Sequence, residues 1–234
     1  MGYDRHGCVA ALKRAGICES TRNAWLAESV PSLMAESCAS LALAHVATDQ
    51  QPSVWRVGSL FSGARDALSA GFTDAGCAVE STFAAESDPD RLRVLRMHRA
   101  PRNEYASAEE ASVCCPCVDA LVASPPCDRV SRARDNSDDP TGPARRTASD
   151  FKAIVTTVRR SQPLVVVVEQ SDGLASHQPA AYAAADQALR ELPYAWSHTC
   201  SDAHSDCGSS HVRARLLWVG VRVDVFVPYS FLYT

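Results

Sequence analysis

The chain has little lysine, few aromatic residues and no strong excess of charge of either sign. Of its 234 residues, 23 are Lys or Arg and 27 are Asp or Glu, and Lys13 and Lys152 are the only lysines. Basic residues can be confined to one face of a protein, so the formal net charge of -4 neither supports nor excludes a nucleic-acid partner. The bias toward arginine fits phosphate binding and equally fits GC-rich coding.

Long hydrophobic runs are also absent. No stretch is long enough to span a bilayer, and the N-terminus has no continuous apolar segment of the kind found in signal peptides. The ten cysteines are therefore interpreted as free thiols in a reducing compartment. We expect a cytoplasmic, nucleoid or nuclear protein that is not secreted and has no membrane partner. With 46% hydrophobic residues the chain can bury one main core, which predicts a single domain.

Two segments have spacings that resemble metal sites. Cys114, Cys115 and Cys117 form the first, and the second contains Cys200, His204, Cys207 and His211. Neither matches the two Cys-x-x-Cys pairs of a standard zinc site, and no catalytic metal is predicted. For the second segment, structural zinc and ordinary loop residues both stay open, and sensitivity to a chelator would decide between them.

Short β-rich runs alternate with helical stretches from Trp55 onward. This pattern predicts an α/β fold with a doubly wound, mostly parallel sheet covered by helices on both faces. The unbroken run Val165-Val166-Val167-Val168 suits a central parallel strand, because both faces of such a strand are buried. The predicted strands are 54–60, 78–83, 119–123, 164–168, 215–222 and 225–233, and the predicted helices are 64–75, 88–98, 148–160 and 175–188.

In a sheet of this kind, the ligand site lies beyond the carboxyl ends of the strands. The residues expected there are Leu60-Phe61-Ser62-Gly63, Glu86, Ser124-Pro125-Pro126-Cys127 and Glu169-Gln170-Ser171. Each group alone also fits a structural role, such as a tight turn, a helix cap or a packed thiol. Their order along the chain is what points to chemistry.

That order resembles the motifs of the cytosine-C5 DNA methyltransferase family across most of the chain. Phe61-Ser62-Gly63 is similar to the family's first cofactor motif, Glu86 to its ribose-binding acid, and Pro125-Pro126-Cys127 to its catalytic motif. Glu169 is similar to the acid of the Glu-Asn-Val motif, and His211-Val212-Arg213-Ala214-Arg215 to the Gln-x-Arg-x-Arg motif. The resemblance implies a Rossmann-like fold with S-adenosylmethionine as cofactor.

A further match is out of order. Glu28-Ser29-Val30-Pro31, followed by a helical pattern over 32–46, resembles the family's last motif, which normally closes the chain. The resemblance therefore implies a circular permutation, since the last helix packs beside the first strand in this family. We expect an N-terminal extension over 1–23 and a catalytic domain over 24–234. Within that domain, 24–46 would be the permuted last-motif helix and 129–146 a mobile active-site loop.

The family's chemistry assigns roles to individual residues. Cys127 would add to C6 of cytosine in DNA, so that C5 becomes nucleophilic enough to accept a methyl group. Glu169 would hold or protonate ring N3, while Arg213 and Arg215 would stabilise the base carbonyl and the thiolate. The residues expected to bind the cofactor are Phe61, Ser62, Gly63, Glu86, Ser124, Pro125, Ser29 and Val30. The target base would be flipped out beneath the loop, which would contact it through Arg129, Ser131, Arg132 and Arg134.

Several positions depart from the family pattern. Arg65 and Asp66 replace glycines, where larger side chains are expected to crowd the cofactor or change its affinity. Asp128, Gln170, His211 and Glu28 replace family residues. The acid of the third motif has no convincing counterpart, because Ala106 and Ser107 fall near its expected place.

No segment for choosing a target sequence is visible. A partner subunit could supply recognition, the enzyme could act with little sequence preference, or the substrate could be a structured RNA. A catalytically silent regulatory or scaffold subunit that binds the cofactor is the alternative from another functional class.

Overall fold

The computed structural model describes residues 35–127, 143–202 and 214–226, and strands alternate with helices along these ranges. The helices are α1 (35–45), α2 (Ala67–Asp74), α3 (Pro89–His98), α4 (Ala108–Cys114), α5 (Pro143–Ser161), α6 (Gly173–His177) and α7 (Pro179–Arg190). The strands are β1 (Trp55–Leu60), β2 (Val79–Ala85), β3 (Asn103–Tyr105), β4 (Ala120–Ala123), β5 (Val165–Ser171), β6 (Tyr194–Asp202) and β7 (Ala214–Arg222). A short 3-10 turn at Thr48–Gln50 lies between α1 and β1.

All seven strands form one sheet in the order β3-β2-β1-β4-β5-β7-β6. The first five strands pair in parallel, whereas β7 pairs antiparallel with both β5 and β6. The predicted doubly wound, mostly parallel α/β fold is therefore confirmed. The chain order reverses between β1 and β4, and at such a switch point the loops beyond the carboxyl ends separate and leave a crevice for a ligand.

The core is split into two layers by the sheet. Val166 and Val168 belong to the cluster under α4, α5 and α7, whereas Val165 and Val167 belong to the cluster under α1 and α2. This alternation explains the unbroken valine run, because successive side chains of a strand point to opposite, equally buried faces. Helices α1 and α2 pack closely, since a Cβ on Gly71 would lie 2.3 Å from the backbone carbon of Ala35.

Several boundaries differ from the prediction. Residues 143–146 begin α5 instead of ending a loop, with Pro143 in the first turn, where the missing N–H of proline is tolerated. The single helix predicted over 175–188 is two helices, which meet at Gln178 before Pro179. Strand β5 continues to Ser171, so Glu169 lies within the strand.

Three elements were not expected from the sequence, namely β3, α4 and β6. The strand predicted over 225–233 falls mostly outside the described residues. Of the two residues that are described, Phe226 forms an isolated bridge with Val46. No helix among the described residues is both long and apolar enough to cross a membrane.

Candidate active site

A cavity of about 410 Å³ opens at the switch point of the sheet. It brings together four residues that the sequence placed at strand ends, in that Phe61, Glu86, Ser124 and Pro126 all line it. The volume lies within the range that small-molecule sites occupy. The carboxyl ends of β1, β2 and β4 therefore meet at one cavity, as the sequence predicted.

The loop after β1 has an unusual backbone. Phe61 and Gly63 have φ angles of 55° and 64°, in the left-handed region. A Cβ on Gly63 would meet nothing within 4 Å, so the backbone conformation, and not lack of space, favours glycine there. The Ser62 N–H donates to the Ala85 carbonyl at 3.0 Å, which ties the loop to the end of β2. The Ser62 hydroxyl is buried and also donates inward, to the carbonyls of Ser59 and Ala85.

Glu86 joins this loop to the start of α3. Its Oε2 accepts the Gly63 N–H and its Oε1 accepts the Asp88 N–H, both at 2.8 Å. Asp88 in turn caps α3, because its Oδ1 accepts from the N–H groups of Asp90 and Arg91. A carboxylate oxygen can accept more than one hydrogen bond, so Glu86 keeps acceptor capacity toward the cavity that it lines.

A second polar cluster lies at the ends of β4, β5 and β7. The Nε of Arg215 lies 2.5 Å from Oε1 of Glu169, and the Ser124 hydroxyl donates to Oε2 of the same carboxylate. Glu169 is paired with Leu217 in the antiparallel register, which puts Arg215 two residues away on the same face. The two side chains are only 19% and 13% exposed, so the ion pair is largely withdrawn from solvent.

Cys127 is exposed and lies in a bend just beyond β4. The turn that precedes it is fixed to β5, because Nε2 of Gln170 donates to the Pro125 carbonyl at 3.3 Å. Gln170 is 1% exposed, and its Oε1 accepts the Ser171 N–H at 2.8 Å, which orients the amide. The Pro125-Pro126-Cys127 turn and the Glu169 cluster are therefore linked through neighbouring residues of one strand.

Not all of the predicted site residues belong to the described part of the chain. Ser29, Val30, Arg129, Ser131, Arg132, Arg134 and Arg213 lie outside the described residues. Asp66 is 3% exposed and is not among the residues that line the cavity. The sequence predicted that its side chain would crowd the cofactor, but the side chain is buried within the fold instead. Cys200 lies on β6, whereas His204, Cys207 and His211 fall outside the described ranges, and within those ranges no three metal-binding side chains converge.

The cavity also has lining residues that sequence reasoning missed, among them Arg91, Ser107, Glu109, Arg146 and Asp150. Ser107 follows β3 and caps α4, since its Oγ accepts the Glu110 N–H at 3.1 Å. Its place after a strand was the available signal, but a three-residue strand leaves no hydrophobic run to detect. Arg146 and Asp150 are four residues apart on α5 and therefore share a face of that helix.

The residues present suit S-adenosylmethionine. A buried acid with free acceptor capacity can receive hydroxyl groups, an aromatic ring can stack on a base, and a left-handed glycine gives the backbone a tight turn beside them. A seven-stranded, doubly wound sheet with a cavity at its switch point is the fold of S-adenosylmethionine-dependent methyltransferases. Within that class, the chain belongs to the family of C-5 cytosine-specific DNA methylases, whose family model matches residues 55–230.

Solved structures share the fold. A prophage-encoded E. coli protein assigned as a DNA modification methyltransferase is similar with a TM-score of 0.54 and 21% identity, over 73% of this chain and 47% of that one. The S. pombe Dnmt2 methyltransferase is similar with a TM-score of 0.53 and 15% identity, over 72% of this chain and 50% of that one. Magnesium protoporphyrin IX methyltransferase from Synechocystis, solved with bound S-adenosylmethionine, has a TM-score of 0.50 and 10% identity, over 82% of this chain and 79% of that one.

The chain thus spans about half the length of the first two of these proteins, 47% and 50%. Among curated proteins, none matches the chain.

Proposed function

We propose that the chain transfers a methyl group from S-adenosylmethionine to C5 of cytosine in DNA through a covalent adduct on Cys127. The observation that carries this proposal is the largely buried carboxylate of Glu169, held by Arg215 and Ser124 beside the turn that bears Cys127. A purely structural strand has no need of a largely buried ion pair, because such pairs are costly to bury.

Cys127 supplies the nucleophile. Its sulfur forms a bond to C6 of the cytosine ring, which makes C5 electron-rich enough to take a methyl group. The cofactor, when bound, supplies that methyl group as a sulfonium. Loss of the C5 proton and breaking of the sulfur–C6 bond then restore the aromatic ring and release Cys127.

Glu169 is assigned to stabilise the charge that builds up on the cytosine ring. A proton shared between its carboxyl and ring N3 stabilises the electron density that builds up on the ring while the sulfur adds. Arg215 forms an ion pair with one carboxyl oxygen and Ser124 donates a hydrogen bond to the other, which orients the group. Arg213, two residues before Arg215, is assigned to the base carbonyl.

The cavity at the ends of β1, β2 and β4 is assigned to the cofactor. Phe61 stacks on the adenine, Gly63 lets the backbone approach the methionine part, and Glu86 accepts the ribose hydroxyls. Ser62 contributes through the shape of the loop, because its hydroxyl is used within the fold. Ser124 lines the cavity on the β4 side. Pro125, Ser29 and Val30 are assigned to the cofactor as further contacts.

The domain organisation that we propose includes a circular permutation. Two observations support it. Helix α1 precedes β1 in the chain and packs beside it, since Ala39 and Ala42 share a hydrophobic cluster with Trp55 and Val57. The segment between α1 and β1 also meets the residues that follow β7, because the Ala47 N–H donates to the Val225 carbonyl at 3.0 Å. A helix that precedes the first strand and lies beside it is what this permutation requires.

The domain would cover 24–234 after an extension over 1–23, with the active-site loop ending before α5 at Pro143. In that loop, Arg129, Ser131, Arg132 and Arg134 are assigned to the backbone and base of a flipped cytosine. A partner subunit or further segment is proposed to supply target recognition.

Transfer of tritium from labelled S-adenosylmethionine tests the proposal. Duplex DNA, single-stranded DNA and structured RNA are supplied separately, and label in acid-precipitable nucleic acid is counted. We expect label on DNA, its loss in Cys127→Ser, and its retention in Cys117→Ser, which removes another exposed thiol.

Label on RNA alone would contradict the assigned substrate. Cofactor binding without label on any nucleic acid would favour the silent scaffold subunit over the enzyme.

A further inference from the structure

A buried carboxyl group closes the loop between β1 and α2. Asp66 is 3% exposed and lies just before the first residue of α2, with a φ angle of 47°. It is the third residue of this loop with left-handed backbone, after Phe61 and Gly63. Aspartate tolerates this region better than most residues with a Cβ, yet the conformation still needs contacts that hold it.

Those contacts run into the sheet. The Ser59 hydroxyl donates to Oδ1 of Asp66 at 2.7 Å, and Ser59 itself is 2% exposed on β1. The main chain adds a second tie, because the Asp66 N–H donates to the Ser62 carbonyl at 3.1 Å. The other carboxyl oxygen, Oδ2, is buried and accepts no hydrogen bond within the described part of the chain.

The loop is therefore fixed at two points, of which only Glu86 lines the cavity. Glu86 holds its middle through the Gly63 N–H, and Asp66 holds its end through Ser59. Phe61 lies between these ties and β1, and its ring lines the cavity. Asp66 and Ser59 do not line the cavity, so a change at this tie is expected to act on Phe61 without removing a group assigned to the cofactor.

We propose that Asp66 is a positioning residue for the cofactor site, which fastens the loop to β1 through Ser59 and so keeps Phe61 and Gly63 in place along the cavity. The proposal rests on the cofactor pocket assigned under Proposed function. It also gives a reason for an acid at a position where the family pattern has glycine. Glycine adopts left-handed backbone freely, whereas Asp66 is held in that conformation by its hydrogen bond with Ser59.

The charge state of this group follows from its surroundings. Burial raises the pKa of Asp66, opposed by the hydroxyl groups of Ser69 and Ser59 and by the positive charge of Arg99. A neutral carboxyl is close in shape to a carboxamide, and asparagine also tolerates left-handed backbone. Asp66→Asn is therefore the conservative variant, since it keeps an acceptor for Ser59.

The test measures cofactor affinity directly, by calorimetric titration of S-adenosylmethionine into the full chain without nucleic acid. We expect Asp66→Asn to bind within about twofold of the wild type. Asp66→Gly and Ser59→Ala should each weaken binding about fivefold, as expected for one neutral hydrogen bond. The double variant Ser59→Ala/Asp66→Gly should lose no more than either single variant, because both remove the same bond.

Two controls separate positioning from loss of stability. Val158→Ala opens a cavity in α5 far from the loop, and should lower the free energy of unfolding with unchanged cofactor affinity. Asp74→Asn alters an exposed carboxyl at the other end of α2 and should leave both quantities unchanged.

Normal affinity in Asp66→Gly, or a loss in Asp66→Asn as large as in Asp66→Gly, would overturn the proposal. Additive losses in the double variant would do the same. A wild-type chain that binds no cofactor would instead contradict the pocket itself, and with it the inference that rests on it.

Discussion

Removal of Arg215 leaves the carboxylate of Glu169 largely buried and without its cation. The side chains of this pair are 13% and 19% exposed, and the atoms Nε and Oε1 lie 2.5 Å apart. Breaking a fully buried pair costs about 3–5 kcal/mol, so a pair with some solvent access should cost roughly 2–3 kcal/mol of unfolding free energy. Because this pair also holds the group assigned to ring N3, we expect Arg215→Ala to lower kcat/KM for methyl transfer by about 10²–10³.

The assay is single-turnover methylation at saturating cofactor, with chemical denaturation on the same samples. Arg222→Ala is the matched control, since Arg222 is on the same strand and its Nε lies 2.7 Å from Asp224, which is exposed. Arg222 is 28% exposed and its Nη1 also donates to the Gln162 carbonyl at 2.7 Å, so its removal should cost about 1–2 kcal/mol, with no effect on transfer. Normal kcat/KM in Arg215→Ala, or a defect confined to cofactor affinity, would refute the reasoning.

Three further predictions concern the cofactor loop and the packing beneath it. Glu86→Ala removes the acceptor for two backbone N–H groups, and calorimetry should find cofactor affinity reduced about tenfold or more; unchanged affinity would remove Glu86 from the pocket. Gly71→Ala places a Cβ 2.3 Å from the backbone of Ala35, so denaturation should report a loss of about 1–3 kcal/mol, whereas Gly76→Ala meets no such contact and loses stability only through its φ of 90°. Burial raises the pKa of Asp66, so the folded state keeps its proton to higher pH than the unfolded state, whose pKa is about 3.9. The wild type should then lose stability relative to Asp66→Asn by about 1.4 kcal/mol per pH unit between the unfolded and the folded pKa, and a difference that stays constant with pH would contradict the assignment.

The sheet could be predicted because its signal is local. The Val165–Val168 run indicates a strand that is covered on both faces, and the two-layer core has that pattern. Asp88 marks the start of α3 through its side chain, as capping chemistry requires.

The elements that escaped prediction depend on distant contacts. Strand β6 reads Tyr-Ala-Trp-Ser-His-Thr-Cys-Ser-Asp, with few apolar residues, and it exists because it pairs with β7 along its whole length. The start of α5 was placed too late, since arginines and a Gly-Pro pair indicate a loop unless the helix is stabilised by packing. Phe151 and Ile154, both buried against the sheet, provide that packing.

Some residues of the candidate site could likewise be predicted from local sequence, whereas others depend on distant contacts. Residues that follow strands, such as Phe61, Glu86 and Ser124, could be found because the ends of parallel strands meet at one edge. Arg146 and Asp150 come from a helix that packs over that edge, and sequence spacing alone does not indicate this neighbour. The inward turn of Asp66 likewise depends on Ser59, a partner seven residues away on β1.

The covalent role of Cys127 is tested most directly by trapping its adduct. A duplex oligonucleotide with 5-fluorocytosine at the target position blocks the final step, because fluorine replaces the C5 proton that must leave. With S-adenosylmethionine present, we predict a denaturation-resistant complex whose cross-linked peptide, identified by mass spectrometry, contains Cys127 and is absent in Cys127→Ser. Methylation of ordinary cytosine without any trapped complex, or a cross-link at a different cysteine such as Cys117, would contradict the account.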